Sequence, residues 1–308
     1  MASELKHTVK PSGGDFTTLD AAVDHIAASH ADLVTADVYA SIEIDGTWSS
    51  ADTAAVSIPA TILTSATCYL SIYTTAAARH DGKWDTGAYM LYVSNATALA
   101  IAAVNYCYVD GVQIGVHSPS SSGRYPISIT GTFADGANSV RFSNCIAQGH
   151  GHASWTQNIF RCSATNLDFY AWNCIGYNCA ALTGNRVFSM APGTAGSSTL
   201  YSCTAIGGER AYSHSSGTTV AKNCYGGGSL SADYYGTITK TTCASSDSTG
   251  SAGLQSIPVS ADTFVNVGAG TEDYHLAVGS ALIGVGTDTS GDAAPMNFVV
   301  DIDGDART

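Results

Sequence analysis

Basic residues are scarce in this chain. Only 12 of its 308 positions are Lys or Arg, against 25 Asp or Glu, for a net charge of −13. Nucleic-acid binding needs a basic face, and the basic residues here are scattered singly, so nucleic acid is not expected as a partner. The same shortage argues against an anionic membrane surface, and the acidity is read as a solubility device. Long apolar runs are missing too. The most apolar stretch, "ALAIAAVNYCYV" at 98–109, is interrupted by Asn105 and falls well short of the ~20 residues a membrane helix needs. The opening "MASELKHTVK" has no apolar segment of the kind a signal peptide carries. No C-x-x-C pair occurs, which speaks against a zinc framework, and the nine cysteines are odd in number, which speaks for reduced thiols. Leu, Glu and Lys are too few for a helical protein, while 45% hydrophobic residues is too many for a disordered one.

Glycine is plentiful, at 32 residues, and the cysteines recur. Cys107, Cys145, Cys174, Cys203, Cys224 and Cys243 are spaced by 38, 29, 29, 21 and 19 residues. Reading the 38 as two turns of 19 places all of them within the range of repeat architectures. Aligned on cysteine, "VRFSNCIAQG", "FYAWNCIGYN", "TLYSCTAIGG" and "VAKNCYGGG" share alternating apolar residues, then a small polar residue, then Cys. Alternation means a strand with one buried face. The phase breaks at Asn144, Asn173 and Asn223, and a left-handed bend at each, which Asn tolerates, turns the following Cys inward. Stacked Asn amides on successive coils can bond to one another. A column of inward cysteines, one per coil, is what a parallel β-helix would produce.

On these motifs, the region from about 90 to 250 resembles the pectate-lyase-like superfamily of right-handed parallel β-helices. "TVKPSGGDFTTLDAAVDHIAASH" is similar to that family's first strand, glycine turn and amphipathic capping helix. Phe16, Leu19, Val23 and Ile26 form its apolar stripe, and Thr17 with Asp20 fits a capping box. "DTFVNVGAGTEDYHLAVGSALIGVGTD" with "DIDGDART" resembles a closing segment of bacterial and phage members, and "ARHDGKWDTGAYMLYV" resembles a stretch of phage-encoded ones. The resemblance implies an all-β fold: a right-handed parallel β-helix (solenoid) with an N-terminal capping helix. The expected layout is one elongated domain over 1–308. A strand and capping helix occupy 1–32, lead-in β-structure 33–90, regular coils 91–250 and a closing segment 251–308.

Candidate chemistry is thin. Gly149–His150–Gly151 reproduces a motif of polygalacturonase-like β-helices. Glycoside hydrolysis, however, needs paired carboxylates, and Asp110 and Asp135 stand alone, so a polar turn is the expectation. His150 and Asp168 are kept as the weaker catalytic alternative. His150 and His152 share a strand face, but two ligands without a third are a poor metal site. Arg124, Arg141, Arg161, Arg186 and Arg210 lie beside no acidic cluster, which weakens a lyase. Asp301, Asp303 and Asp305 begin like a calcium loop that lacks its twelfth-position Glu. Cys174 and Cys179 have nothing basic nearby to activate them. Trp155, Tyr170, Trp172, Tyr177, Tyr234 and Tyr235 are candidates for an exposed aromatic flank.

The structural set is therefore Cys107, Cys145, Cys174, Cys203, Cys224, Cys243, Asn144, Asn173 and Asn223. No catalytic, cofactor or metal site is expected. The function expected is that of a non-enzymatic phage virion component, either a capsid decoration protein or a tail fibre or spike module. Such a protein is made in the host cytoplasm and is found in the virion. Its partners would be other virion proteins or copies of itself, a homotrimer included, with a surface glycan as a further partner. The alternatives are a polysaccharide-degrading enzyme on the same scaffold and a glycan-binding module, since fold alone does not decide function.

Overall fold

The computed structural model describes residues 2–117, 123–133, 138–149 and 157–302. The chain begins with β1 (Ser3–Val9), α1 (Leu19–Ser29) and α2 (Leu33–Ala36), then β2 (Val38–Ile44) and β3 (Val56–Ile58). Strands then come in threes. The first coils are β4 (Leu70–Thr74), β5 (Met90–Ser94), β6 (Leu99–Ala102), and β7 (Tyr106–Asp110), β8 (Gln113–His117), β9 (Ile127–Thr132). The middle coils are β10 (Ser139–Ser143), β11 (Ile146–Gln148), β12 (Asn158–Thr165), and β13 (Asp168–Trp172), β14 (Ile175–Cys179), β15 (Arg186–Ala191). The later ones are β16 (Ser197–Tyr201), β17 (Thr204–Gly207), β18 (Arg210–His214), and β19 (Thr218–Lys222), β20 (Tyr225–Gly227), β21 (Ala232–Tyr235). A partial coil, β22 (Thr239–Thr241) and β23 (Ala244–Ser245), precedes the antiparallel pair β24 (Phe264–Asn266) and β25 (Asp273–Leu276).

From β6 onward, through β23, each strand pairs in parallel with the strand three before it, giving one nine-stranded and two seven-stranded sheets. That succession is the topology of a parallel β-solenoid. Strands β2 to β4, within residues 33–90, already belong to these sheets.

Register shows the true repeat. Ala40, Leu70, Cys107, Val140, Phe169, Ser198 and Thr219 are successive partners on the nine-stranded sheet. From Leu70 onward the coils thus shorten along the chain. Cys107 is a strand residue of β7 opposite Val140, so it does not belong to the cysteine column, and the 38-residue spacing is not two turns of 19. The coil of Cys107 bends four positions later, at Gly111 (φ 71), and Val112 occupies the place that Cys145 takes in the next coil. Both Cys107 and Val112 are buried, so the sequence alignment had selected a similar side chain at a different angular position.

In-register stacking builds the core. Ile42, Ile72, Val109, Phe142, Ala171, Leu200 and Ala221 form one inward row of the nine-stranded sheet, all essentially inaccessible. On another sheet Phe160, Phe188, Tyr212 and Tyr234 are successive partners. Their ring centroids are 4.4, 5.2 and 4.8 Å apart and nearly coplanar in orientation. A single cluster of buried residues draws on all three sheets. Helix α1 contributes Leu19, Ala22, Val23 and Ile26 to it. Its N-cap is Thr18, which accepts from the Ala21 amide at 3.3 Å, not the Thr17–Asp20 box. Asp52 also accepts from the Leu19 amide at 2.8 Å, so a distant loop satisfies a donor that the helix itself leaves open.

Candidate functional site

Between the nine-stranded sheet and the β5–β23 sheet, each coil from β7 onward turns sharply at one residue. These residues are Gly111, Asn144, Asn173, Ser202, Asn223 and Thr242, all at φ between 48 and 71. Left-handed backbone is costly for residues with a Cβ, and least so for Asn. The Asn side chains repay part of that cost across coils. Asn173 Nδ2 donates to Asn144 Oδ1 at 3.1 Å, and Asn144 Nδ2 to Asp110 Oδ1 at 2.7 Å. Asn223 Oδ1 accepts from the Thr242 hydroxyl at 2.5 Å.

Behind the bends lie Cys145, Cys174, Cys203, Cys224 and Cys243, buried and free, as are all nine cysteines. Each thiol points at backbone carbonyls of its own or the previous coil. Cys224 Sγ is 3.2 Å from Leu200 O, and Cys174 Sγ is 3.5 Å from Phe142 O. Burial pushes the Cys107, Cys162 and Cys179 thiols up to about 12. Cys174 and Cys224 are also raised, chiefly by burial, and Cys243 first by its hydrogen bond to Cys224. Cys145 and Cys203 shift the other way: burial opposes ionisation there too, but hydrogen bonds from Cys174 and from the backbone outweigh it and lower both.

The segment after β25 lies over this column. Asn173 Nδ2 donates to Val300 O at 3.0 Å. Asn223 binds Thr287 both ways, Nδ2 to Thr287 O at 2.7 Å and Oδ1 from Thr287 N at 2.8 Å. Lys222 Nζ, mostly buried, reaches Asp292 Oδ2 at 2.6 Å. Trp172 stacks on Phe298 at 6.2 Å. Between segment and coils runs a groove of about 1000 Å³, with Ile175, Thr204, Tyr225, Tyr274 and His275 among its lining. His275 Nδ1 sits 2.5 Å from Asp273 Oδ1. Neither the groove nor this His–Asp pair was legible beforehand, because the groove joins residues up to 129 positions apart.

The acids singled out from sequence are held apart and engaged. Asp110 pairs with the Arg79 guanidinium and accepts from Ser143 Oγ at 2.6 Å. Asp168 accepts from Ser197 Oγ at 2.6 Å, and Glu209 from the Gly184 amide at 2.6 Å. Asp110 opposes Ser143, Ser143 opposes Trp172, and Asp168 lies at the other end of that strand. The two are therefore about 10 Å apart across strands and about 13 Å along them, beyond the span of a glycosidase pair. Asp135, His150, His152, Trp155, Asp303 and Asp305 lie outside the described residues.

The aromatic flank differs from the one expected. Tyr177 and Tyr234 are buried, and Tyr234 ends the internal ring stack. Among the five of the six that are described, only Tyr235 is an exposed large side chain, under the Arg210 guanidinium at 3.4 Å. A surface row forms elsewhere, on the outer face of the nine-stranded sheet. There Tyr39 stacks on Tyr69 at 5.1 Å, Tyr69 meets Tyr108 at 4.8 Å, and Arg141 lies 4.3 Å over Tyr108.

The segment "ARHDGKWDTGAY" is a strap across several coils. Besides the Arg79–Asp110 pair, His80 Nε2 bonds to Asn144 O at 2.9 Å and its Nδ1 accepts from the Gly82 amide at 3.1 Å. The amide of Asp85 donates to Gln113 Oε1 at 2.6 Å. At the N-terminal end of the chain, His7, His25 and His30 bring three imidazoles together, with one potential ligand atom from each lying within 4.8 Å of the others. Sequence reading passed over them because strand β1 and the C-terminal half of α1 meet only in the fold.

No known protein family, curated protein or solved structure matches this chain. Function rests on the geometry. No helix among the described residues is long and apolar enough to cross a membrane.

Proposed function

We propose that this chain is a non-enzymatic structural component of a phage virion, a capsid decoration protein or a module of a tail fibre or spike. The observation that carries the reading is the distribution of exposed apolar side chains. Of the eleven exposed large apolar side chains among the described residues, seven (Val265, Leu276, Val278, Ile283, Val285, Val299 and Val300, Val278 completely) belong to the segment that follows the last coil, while Val34, Leu63, Leu230 and Tyr235 are scattered along the rest of the chain. Exposed apolar residues gathered on one region mark an interaction surface. A stack of coils with one continuous core supplies a stiff body to which that surface is attached. On this reading the coils wind right-handed, as crossovers between parallel strands do. Helix α1 caps the first coil, which a solenoid requires, and the segment after β23 closes the last. The partners are copies of the same chain, in a homotrimer or another assembly, or other virion proteins.

Light scattering coupled to size exclusion tests this. The purified chain should self-associate or bind particles, and Val278→Glu with Ile283→Glu should return it to a monomer with unchanged circular dichroism. A monomer at all concentrations that also fails to bind particles would sink the proposal.

A second reading, a glycan-active or glycan-binding protein, draws on the groove beneath the closing segment, with Tyr225, Tyr274 and the Asp273-held His275. Incubation with host capsule and lipopolysaccharide separates the two. New reducing ends or unsaturated uronates, lost in Asp168→Asn or His275→Gln, would favour the enzyme.

A further inference from the structure

We propose that His7, His25 and His30 form a binding site for a divalent transition-metal ion of the zinc type. The three residues come from separate places: His7 from β1, His25 from the second turn of α1, and His30 from the position that ends the helix. Ring centroids are 5.0 Å apart for His7 and His25, 5.7 Å for His25 and His30, and 6.4 Å for His7 and His30.

What separates this trio from ordinary packed histidines is its lack of hydrogen bonds. His80, a histidine with a structural role, has both ring nitrogens engaged. None of the three clustered rings donates to or accepts from another described residue, and His7 Nε2 is buried with no partner. A buried polar nitrogen left unpaired is destabilising, and a metal ion would satisfy it. Burial, followed by the neighbouring His25, holds His7 below its ordinary value.

The surroundings suit such an ion. Phe16 lies 5.6 Å from His7 and 5.3 Å from His25, giving an apolar wall. Asp15, fixed by the Thr8 amide at 2.8 Å and the Thr8 hydroxyl at 3.0 Å, places a negative charge beside His7 and His25. Outer carboxylates and apolar walls of this kind tune metal sites. Nitrogen donors select zinc, cobalt, nickel or copper over calcium and magnesium, which take oxygen. Three ligands at ordinary zinc–nitrogen distances sit about 3.4 Å apart, so the rings must close by roughly 1.5 Å. All three are partly exposed, so rotation of side chains achieves this without disturbing the core. Three protein ligands leave a fourth position for water or for a side chain from a partner. The bound ion would fasten β1 to the far end of α1, at the start of the coil stack.

The test uses the full chain without an affinity tag, stripped with chelator. Zinc titrated calorimetrically at about pH 7.5 should bind once per chain, and cobalt should give a visible d–d spectrum. His25→Gln and His30→Gln, both on the partly exposed rim, should each weaken binding at least about tenfold while keeping the native circular dichroism. Binding should fade toward about pH 5.5, as imidazole protonation competes. Zinc should also raise the thermal midpoint of the native chain and not that of the variants. No saturable binding in the micromolar range would overturn the proposal. So would binding that survives both substitutions, or binding lost instead in the double variant His150→Gln, His152→Gln.

Discussion

Tyr212 donates its hydroxyl to the carbonyl of Cys203 at 2.6 Å, from the ring stack on one sheet to the cysteine column on another. Tyr234 repeats the bond one coil later, to Cys224 at 2.9 Å. The phenol is fully buried, and its reach across the core ties two inward columns together. Cys203 O keeps a second donor, the Tyr225 amide at 2.9 Å. Tyr212→Phe should therefore cost only about 1 kcal/mol. Tyr212→Ala removes a ring from a continuous stack and should cost about 3–5 kcal/mol. Urea unfolding of the two variants would check the contrast, and equal losses would mean the hydroxyl, not the ring, carries the contribution.

Asn173 combines a left-handed backbone, φ 53, with an amide that bonds to Asn144 and Val300. Asn173→Val forces a β-branched residue into that conformation and should destabilise by about 1–3 kcal/mol. Asn173→Gly keeps the conformation and loses only the amide, so it should cost less. Chemical denaturation that ranks Gly below Val in stability would refute the conformational argument.

The nine thiols are free and buried, out of reach of a dissolved reagent. An aromatic disulfide reagent should find few reactive groups in the native chain and nine after denaturation without reductant. Cys174 fits between Cys145 and Cys203 in a filled interior. Cys174→Leu should overpack that coil and cost about 1–3 kcal/mol, read as a lower thermal midpoint.

Burial holds the His80 imidazole down at about 4, while in the unfolded chain it titrates near its ordinary 6.5. Between those values the unfolded state binds the extra proton, so stability rises with pH there. The contribution is complete above about pH 6.5 and is lost as pH falls toward 4, to a total of about 3 kcal/mol. His80→Gln keeps a donor for Asn144 O and an acceptor for the Gly82 amide while removing the titration. Its stability should fall less steeply than that of the native chain over this window. Parallel pH profiles would place the effect on other groups.

Much of the solenoid was legible in one dimension because a coil repeats the same demands on each turn. Alternation in "VRFSN" and "FYAWN" marks strands with one buried face, and Asn before Cys marks a backbone position that most residues avoid. Those are local requirements, written in neighbouring residues. Coil length was not local. Cys107 resembles a column residue in sequence, and only the pairing of β7 with β10 shows that it stands four positions before the bend. Tyr177 and Tyr234 look like surface aromatics until the sheets enclose them.

The sequence by itself determined the parallel, cysteine-rich β architecture, since short-range alternation and bend chemistry leave few other ways to bury these side chains. The tertiary structure alone decided which residues meet across coils. Lys222 finds Asp292, His80 finds Asn144, and His7 finds His25 and His30. The physical reason is that variable insertions set the angular position of each residue on its coil, and angular position is a sum over whole turns rather than a property of any short stretch.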